Sequence, residues 1–399
     1  MAAPAMQNKT GQFMRTLLQA ARLLTPLECI HNPAVLVEDG RIVSLHSLDA
    51  APAPKAEQHL HYADATLVPS FFDVHIHGAC GHDSMEGTRE AVDAIGGFLA
   101  LRGVGSYLAT TVTAPEEKIL SALDGLATQI ERAQHPGARP VGIHLEGPFL
   151  SCEKRGVHPP ELLQLPSVER FERYWQAARG HIALITVAPE LPGALEMIAH
   201  ATQKGVRISI GHSNARTAEA QAGIAAGAVS ATHAFNAMRP LDHRDPGILG
   251  VVLDRDDLFA EIICDKIHVA PEVVRLFWKA KGPQRCILIT DAMSATGMPD
   301  GSYQLGPLSV TVSNGTCLSD GKLAGSVLTL DRALLNFMEC TGCDLQSALR
   351  CLTANPAAMA GREKSIGQLR VGMPADITVL DANGSVLSTM LRGNTVTPA

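Results

Sequence analysis

The sequence predicts an α/β protein: a (β/α)8 TIM-like barrel with a small β-sandwich domain built from both chain ends. Three observations predict it. Short apolar runs alternate with helix-like segments between residues 71 and 291, and eight such units over roughly 220 residues match a parallel sheet closed into a barrel. Aromatic residues make up only 4% of a chain that is 46% hydrophobic, so Ala, Val, Leu and Ile fill the core, as they do in buried parallel strands. Histidines and carboxylates recur at the ends of the apolar runs, the end of the strand where such barrels carry their sites.

The elements follow in order. Residues 16 to 50 read as short strands and turns, with Ala34-Val35-Leu36-Val37 and Ile42-Val43-Ser44-Leu45 flanking an Asp39-Gly40 hairpin signal. The Ala- and Pro-rich stretch 50 to 58 reads as a loop. Barrel strands are expected at Phe71 to His77, Ser106 to Val112, Val141 to Glu146, Ile182 to Ala188, Arg207 to Gly211, Ala228 to His233, Leu258 to Cys264 and Cys286 to Asp291. Helix-like segments between them include Glu86 to Leu101, Pro115 to Ala133, Leu191 to Lys204, Thr217 to Ala226 and Pro271 to Ala280. Beyond the barrel, Tyr303 to Leu318 reads as β-structure or loop, and Ser326 to Met338 and Leu345 to Leu352 read as helices. Ala375 to Leu380 returns to strand. The expected division is 1–66 and 363–399 for the two parts of the small domain, and 67–362 for the barrel and its trailing helices.

Bulk properties exclude several classes. A net charge of −7 argues against a general nucleic-acid binder, while a few local cations could still hold a small anion. No apolar run reaches the length of a membrane span. Met1 to Arg15 lacks a signal-peptide apolar region, and Met1 to Gly11 reads as a disordered leader. Nine scattered cysteines without a secretory signal suggest reduced thiols and a cytoplasmic protein. Cys340-Thr341-Gly342-Cys343 has redox-motif spacing, but stands alone in a helical stretch and reads as packing.

The chemistry begins at His75-Ile76-His77. Alternation puts both imidazoles on one face of a strand. Glu146, His212, His233 and Asp291 then arrive from later strand ends. Imidazoles and carboxylates converging on one mouth make a site for one or two divalent metals, and such a site activates water. Gly78 lets backbone approach the metal. Glu146 precedes a Gly-Pro turn, needs a partner charge if buried, and has two oxygens with which to bridge two ions. His144, on the same face, reads as a group that orients ligands. Asp291 is placed for proton transfer.

Together these residues resemble the N-acetylglucosamine-6-phosphate deacetylases, a sugar-phosphate branch of the amidohydrolase superfamily. The resemblance runs from about Leu67 to Leu380. It rests on Phe72-Asp73-Val74-His75-Ile76-His77-Gly78, His144-Leu145-Glu146-Gly147-Pro148-Phe149, Gly211-His212-Ser213-Asn214-Ala215, Thr232-His233-Ala234-Phe235-Asn236-Ala237-Met238 and Thr290-Asp291-Ala292. Leu323-Ala324-Gly325-Ser326, Asn355-Pro356-Ala357 and Gly372-Met373-Pro374-Ala375-Asp376 add to it.

The resemblance implies one metal on Glu146, His212 and His233, and a second on His75, His77 and Glu146 in members that carry the His-x-His pair. Zinc or iron is expected, with manganese or cobalt also compatible. It implies Asp291 as general base and then general acid, and His158 as a substrate contact that polarises the acetamide carbonyl. Asn236, Ala237, Arg244 and His268 would bind the phosphate, and the backbone around Ala324, Gly325 and Ser326 would line the sugar pocket. In relatives the arginine reaches in from a neighbouring subunit, which implies a homodimer. The expected reaction is hydrolysis of N-acetyl-D-glucosamine 6-phosphate in amino-sugar catabolism. The galactosamine epimer, a cyclic amidase and a non-catalytic metal-containing scaffold are the competing readings. Cyclic amidases usually bridge their metals with a carboxylated lysine, where this chain has Glu146, and a scaffold has no use for Asp291.

Overall fold

A computed structural model describes residues 15–397; the leader expected at Met1 to Gly11 lies outside them. All eight expected strands form: β1 (Phe71–Ile76), β2 (Val104–Thr111), β3 (Arg139–Glu146), β4 (Ile182–Val187), β5 (Arg207–Ile210), β6 (Ala228–Ala231), β7 (Phe259–Ile263) and β8 (Cys286–Ile289). They hydrogen-bond in chain order as one parallel sheet. Every residue of β1, β2 and β8 is buried, because helices cover the outer face while side chains fill the inner one.

A helix follows each strand: α1 (Arg89–Ala100), α2 (Glu116–Ile130), α3 (Val168–Ala177), α4 (Ala194–Gln203), α5 (Thr217–Ala226), α6 (Gly247–Asp254), α7 (Pro271–Arg285) and α8 (Leu330–Thr341). Their starts obey local chemistry. The Thr88 side chain accepts from the Ala91 N–H and the Ser167 side chain from the Arg170 N–H, satisfying amides that the first turn leaves free. The eighth helix begins at Leu330 rather than Ser326, because the Ser326 backbone is paired across the mouth: its N–H donates to the Asp291 carbonyl and its carbonyl accepts from the Met293 N–H.

The barrel closes between β8 and β1 at its mouth. The Asp291 N–H donates to the His75 carbonyl (2.9 Å) and the His77 N–H to the Ala292 carbonyl (2.8 Å). Below them the Thr290 hydroxyl donates to buried Asp73 at 2.6 Å. Burial pushes the Asp73 carboxyl up to about 7, against its hydrogen bonds from Thr290 and the His75 backbone.

Every strand but β3 ends one or two residues sooner than expected, and at three of them the reason lies in the next residues. β5, β6 and β8 stop two residues before His212, His233 and Asp291, which adopt positive φ of 45°, 26° and 51°. A left-handed residue cannot continue a ladder, and it turns its side chain across the mouth.

Gly301–Leu305, Leu308–Ser313, Thr316–Ser319 and Lys322–Leu323 form a four-stranded antiparallel sheet inserted between β8 and α8. The two chain ends meet in another sheet. Its order is Asn394–Val396, Val386–Leu391, Ile377–Leu380, Gln58–Pro69, Thr16–Leu24, Pro33–Glu38 and Arg41–Ser47, with Cys29–His31 paired to Thr16–Leu24. The sheet bends back on itself, since the Ile42 N–H bonds the Met373 carbonyl and the Gly372 N–H the Ile42 carbonyl. Leu18, Val35, Leu67, Ile377 and Met390 pack inside the bend. This is the small sandwich expected of the chain ends. Gln58–Pro69 runs through Ser70 directly into β1, so the sandwich anchors the strand that carries His75.

All nine cysteines are unpaired. Cys340 is buried in α8, which ends at left-handed Gly342, so the Cys340/Cys343 pair belongs to helix packing.

Candidate metal centre and active site

The expected ligands converge. His75, His77, Glu146 and Asp291 form one group of ligand atoms lying within 4.8 Å of one another, and Glu146, His212 and His233 form a second. Glu146 belongs to both. Its Oε1 lies 3.4 Å from His75 Nε2, 3.1 Å from His233 Nε2 and 3.4 Å from His212 Nε2, while its Oε2 lies 3.2 Å from His77 Nε2. Asp291 Oδ1 sits 3.4 Å from His75 Nε2 and 3.1 Å from His77 Nε2.

The donor set fits divalent cations. Nε2 atoms face each other at 3.3 Å (His75 and His77) and 3.1 Å (His212 and His233). Two imidazole lone pairs at that separation repel unless a proton or a cation lies between them. Burial works against a proton on His77, yet Asp291 and Glu146 outweigh it and push its pKa up to about 9. Burial likewise opposes charge on Glu146, and the surrounding imidazoles still hold it well below the usual carboxylate range. A cluster that draws positive charge so strongly suits a divalent cation.

Outer contacts fix the ligand tautomers. His212 Nδ1–H donates to the Lys154 carbonyl at 2.9 Å, leaving Nε2 free to ligate. His75 Nδ1 lies 3.3 Å from Glu261 Oε2. His144 does not ligate. Its Nε2 lies 2.8 Å from the Thr186 hydroxyl, and its ring stands edge-on to His75 at 4.5 Å between centroids. Burial and the neighbouring His75 charge keep it neutral, so it holds the His75 ring in place without competing for metal.

The reason for glycine at 78 differs from the expected one. Gly78 pairs with Asp83 in a short antiparallel turn, and a Cβ there would stand 2.1 Å from the His82 carbonyl oxygen. It is the chain's own backbone, not a metal, that needs the space.

A pocket opens above the cluster, lined in part by His77, His158, His233, Asn236, His268 and Asp291. His158 is buried. Its Nδ1 lies 2.8 Å from the Thr113 hydroxyl and accepts weakly from the Thr113 N–H at 3.4 Å. An amide can only donate, so the ring proton resides on Nε2. Burial, then the charge of His212, pushes the His158 pKa down to about 3. It is a neutral donor over the whole physiological range. Asp265 anchors the other pocket histidine, with His268 Nδ1 at 2.6 Å from its carboxylate.

Asn236, Ala237, His268 and Gly325 line the pocket as expected. Ala324 is buried against the inserted sheet, and Ser326 spends its hydroxyl on the Thr290 carbonyl, so of that trio it is Gly325 that faces the cavity. Arg244 is not brought in. It lies exposed on the loop after β6, its N–H bonded to Asp242, and does not line this chain's pocket.

Several site residues escaped the sequence reading. Leu305, Leu308 and Leu323 of the inserted sheet form an apolar wall of the pocket, and Thr113 sets the His158 tautomer. Glu190 accepts from the Ser213 hydroxyl and the Asn214 N–H, at 2.7 and 2.6 Å, and so clamps the turn after His212. Glu261 had a visible signal: it is a lone acid in the apolar run Phe259-Ala260-Glu261-Ile262-Ile263, and a carboxylate buried in a barrel requires a partner.

Fold and site together define a barrel hydrolase with a buried His/Glu/Asp centre for divalent metal. The chain belongs to the Amidohydrolase family, whose sequence profile matches residues 66–396. It is 36% identical over 381 residues to the N-acetylglucosamine-6-phosphate deacetylase of Bacillus subtilis, covering 95% of this chain and 96% of that one. It is 35% identical over 382 residues to the N-acetylgalactosamine-6-phosphate deacetylase of Escherichia coli O157:H7, covering 95% and 99%. Among solved structures, an N-acetyl-D-glucosamine-6-phosphate deacetylase from Mycobacterium smegmatis, an aspartate-to-alanine variant in complex with N-acetyl-D-glucosamine-6-phosphate, matches with a TM-score of 0.90 at 35% identity. It covers 96% of this chain and 100% of that one.

Proposed function

We propose that this protein hydrolyses the acetamide of N-acetyl-D-glucosamine 6-phosphate, giving D-glucosamine 6-phosphate and acetate, in amino-sugar catabolism and recycling. One observation carries the proposal. Asp291 stands beside a two-part cation site bridged by Glu146, at the floor of a pocket with a buried N–H donor, in a chain that aligns almost end to end with sugar-phosphate deacetylases.

The residues divide the work. His75, His77 and Glu146 would hold one divalent ion, and Glu146, His212 and His233 another. Both histidines of the first pair are present, which favours two ions, with zinc or iron preferred and manganese or cobalt compatible with the same donors. A bound ion there acidifies water and polarises a carbonyl. Asp291 takes a proton from the attacking water and returns it to the sugar nitrogen as the C–N bond breaks, so the same carboxylate serves as base and then acid. His158 donates its Nε2–H to the carbonyl oxygen as charge develops there. Asn236, Ala237 and His268 receive the phosphate, and Gly325, flanked by Ala324 and Ser326, keeps backbone close to the sugar.

Arg244 completes the phosphate site only from a second copy of the chain, which accords with its exposure here and makes the working unit a homodimer. A guanidinium suits the task because its planar fork matches phosphate oxygens. Among the described residues no helix is long and apolar enough to cross a membrane, and the unpaired cysteines accord with a cytoplasmic enzyme. The division 1–66, 67–362 and 363–399 treats the sandwich as one domain split around the catalytic barrel. The galacto epimer is the second reading, supported by the 35% identity to its deacetylase.

The test is acetate release by metal-loaded protein from the two epimeric N-acetylhexosamine 6-phosphates. Preference for the gluco compound supports the proposal. Preference for the galacto compound replaces the substrate and keeps the chemistry, and no release from either removes the substrate assignment.

A further inference from the structure

We infer that Glu261 is the positioning residue for the His75/His77 half of the metal centre: it fixes His75 as an Nε2 ligand and thereby sets how tightly that half holds its ion. The inference rests on the two-part reading of the site given above.

Three observations converge on Glu261. It is wholly buried at the middle of β7, the one strand after β3 and β4 that carries neither a ligand nor a catalytic group beyond its end. Its Oε2 lies 3.3 Å from His75 Nδ1, so the proton on that ring is drawn to Nδ1 and the Nε2 lone pair is left facing Glu146 and Asp291. The same oxygen accepts the His233 N–H at 3.4 Å, which ties it to the turn that carries the other half of the site. Its Oε1 has no hydrogen-bond partner. A carboxyl group so deeply buried and only half satisfied is costly unless its charge acts on something.

The four ligating imidazoles are not equivalent in this respect. Nδ1 of His75 meets a carboxylate and Nδ1 of His212 meets the Lys154 carbonyl. Nδ1 of His77 and of His233 is buried without a partner. A carboxylate behind an imidazole raises its basicity and locks its orientation more than a neutral carbonyl does. The first half of the site therefore depends on a negative charge reached through His75, while the Glu146/His212/His233 half depends on a backbone carbonyl. Glu261 reaches the second half only through the long 3.4 Å contact with the His233 backbone N–H and stands behind none of its ring nitrogens, so its removal falls chiefly on the first half.

The test compares the full-length wild type with Glu261→Leu and Glu261→Gln, each loaded with zinc and titrated with a competing chelator. Bound zinc is read by elemental analysis, and the cobalt-substituted forms are read by their visible absorption. Wild type is expected to hold two ions. Glu261→Leu is expected to keep one at wild-type affinity and to bind the other 10- to 100-fold more weakly, with loss of one of two cobalt absorption components. Glu261→Gln, whose amide oxygen still accepts from Nδ1–H, is expected to fall between them, a rescue that simple cavity filling would not produce. Thermal unfolding of the apo forms establishes that each variant folds, and the near-isosteric Gln keeps the test decisive if Leu does not. Unchanged binding of both ions in the Leu variant overturns the inference, as does equal weakening of both. Wild type that binds no zinc at all overturns the reading of the site itself, a different result from either.

Discussion

Replacing Asp291 by Asn separates proton transfer from everything else this residue does. Its backbone sits at φ 51°, N–H bonded to the His75 carbonyl, and its carbonyl accepts from the Ser326 N–H at 2.8 Å. Asn tolerates the left-handed region better than other residues with a side chain, so the barrel closure survives. What changes is Oδ1, 3.1 Å from His77 Nε2 and 3.4 Å from His75 Nε2. Burial opposes ionisation of Asp291, but the charges of His75 and His77 outweigh it and hold the carboxyl below its ordinary range. At neutral pH the wild-type side chain is therefore ionised, with an oxygen free to accept a proton, and Asn has none to offer. General acid–base groups contribute about 10²- to 10⁴-fold, or about 2.7–5.4 kcal/mol at 1.36 kcal/mol per tenfold. The expected result is a fall in kcat of that size with KM within about threefold. The assay is acetate release at saturating substrate and saturating metal, with bound metal measured on the same samples. A variant that keeps its metal and turns over within about threefold of wild type refutes the role of Asp291.

Other outcomes follow from the same geometry. His158→Phe removes one donor from the developing oxyanion and is expected to lower kcat by about 10²- to 10³-fold, with Thr113→Val costing far less because the Thr113 N–H remains; equal losses in steady-state kinetics would contradict the tautomer assigned here. Arg244→Ala is expected to raise KM for the phosphorylated sugar with little change in kcat, and an unchanged KM would remove Arg244 from the phosphate site. Gly78→Ala puts a Cβ 2.1 Å from the His82 carbonyl oxygen, and overpacking of this kind costs about 1–3 kcal/mol; denaturant unfolding of the apo protein reads it, and a neutral effect would contradict the packing role. Burial raises the Asp376 pKa from 3.8 to about 6 despite Arg139. The folded state binds its proton more tightly than the unfolded one, so a cost absent below pH 3.8 grows as pH rises and is complete above 6. Asp376→Asn is expected to be about 2–3 kcal/mol more stable than wild type at pH 8, with the gap closed near pH 4; a gap independent of pH would argue against the burial penalty.

Periodicity alone placed all eight barrel strands and their order, because parallel strands buried on both faces must be short apolar runs and short connections keep neighbours adjacent. It also placed the candidate metal centre, since His75 and His77 share a strand face and Glu146, His212, His233 and Asp291 stand at strand ends that the barrel brings to one mouth. The strand limits at His212, His233 and Asp291 were beyond it. Their left-handed backbone is imposed by contacts across the mouth, such as Asp291 to His75, that no local window contains. Gly78 shows the same limit: a glycine is visible in sequence, but only the fold reveals that the atom it makes room for is the His82 carbonyl oxygen. Glu261 lies 186 residues from His75 in the chain, and the inserted sheet supplies Leu305, Leu308 and Leu323 from outside the β-α repeat. The sequence by itself determined the barrel and which imidazoles and carboxylates meet at its mouth, because each is written in residue type and local period. The tertiary structure alone decided which ring nitrogen each histidine presents, which carboxylate stands behind it, and that Arg244 stays exposed outside this chain's pocket, because these depend on groups that meet only when distant strands close into one mouth.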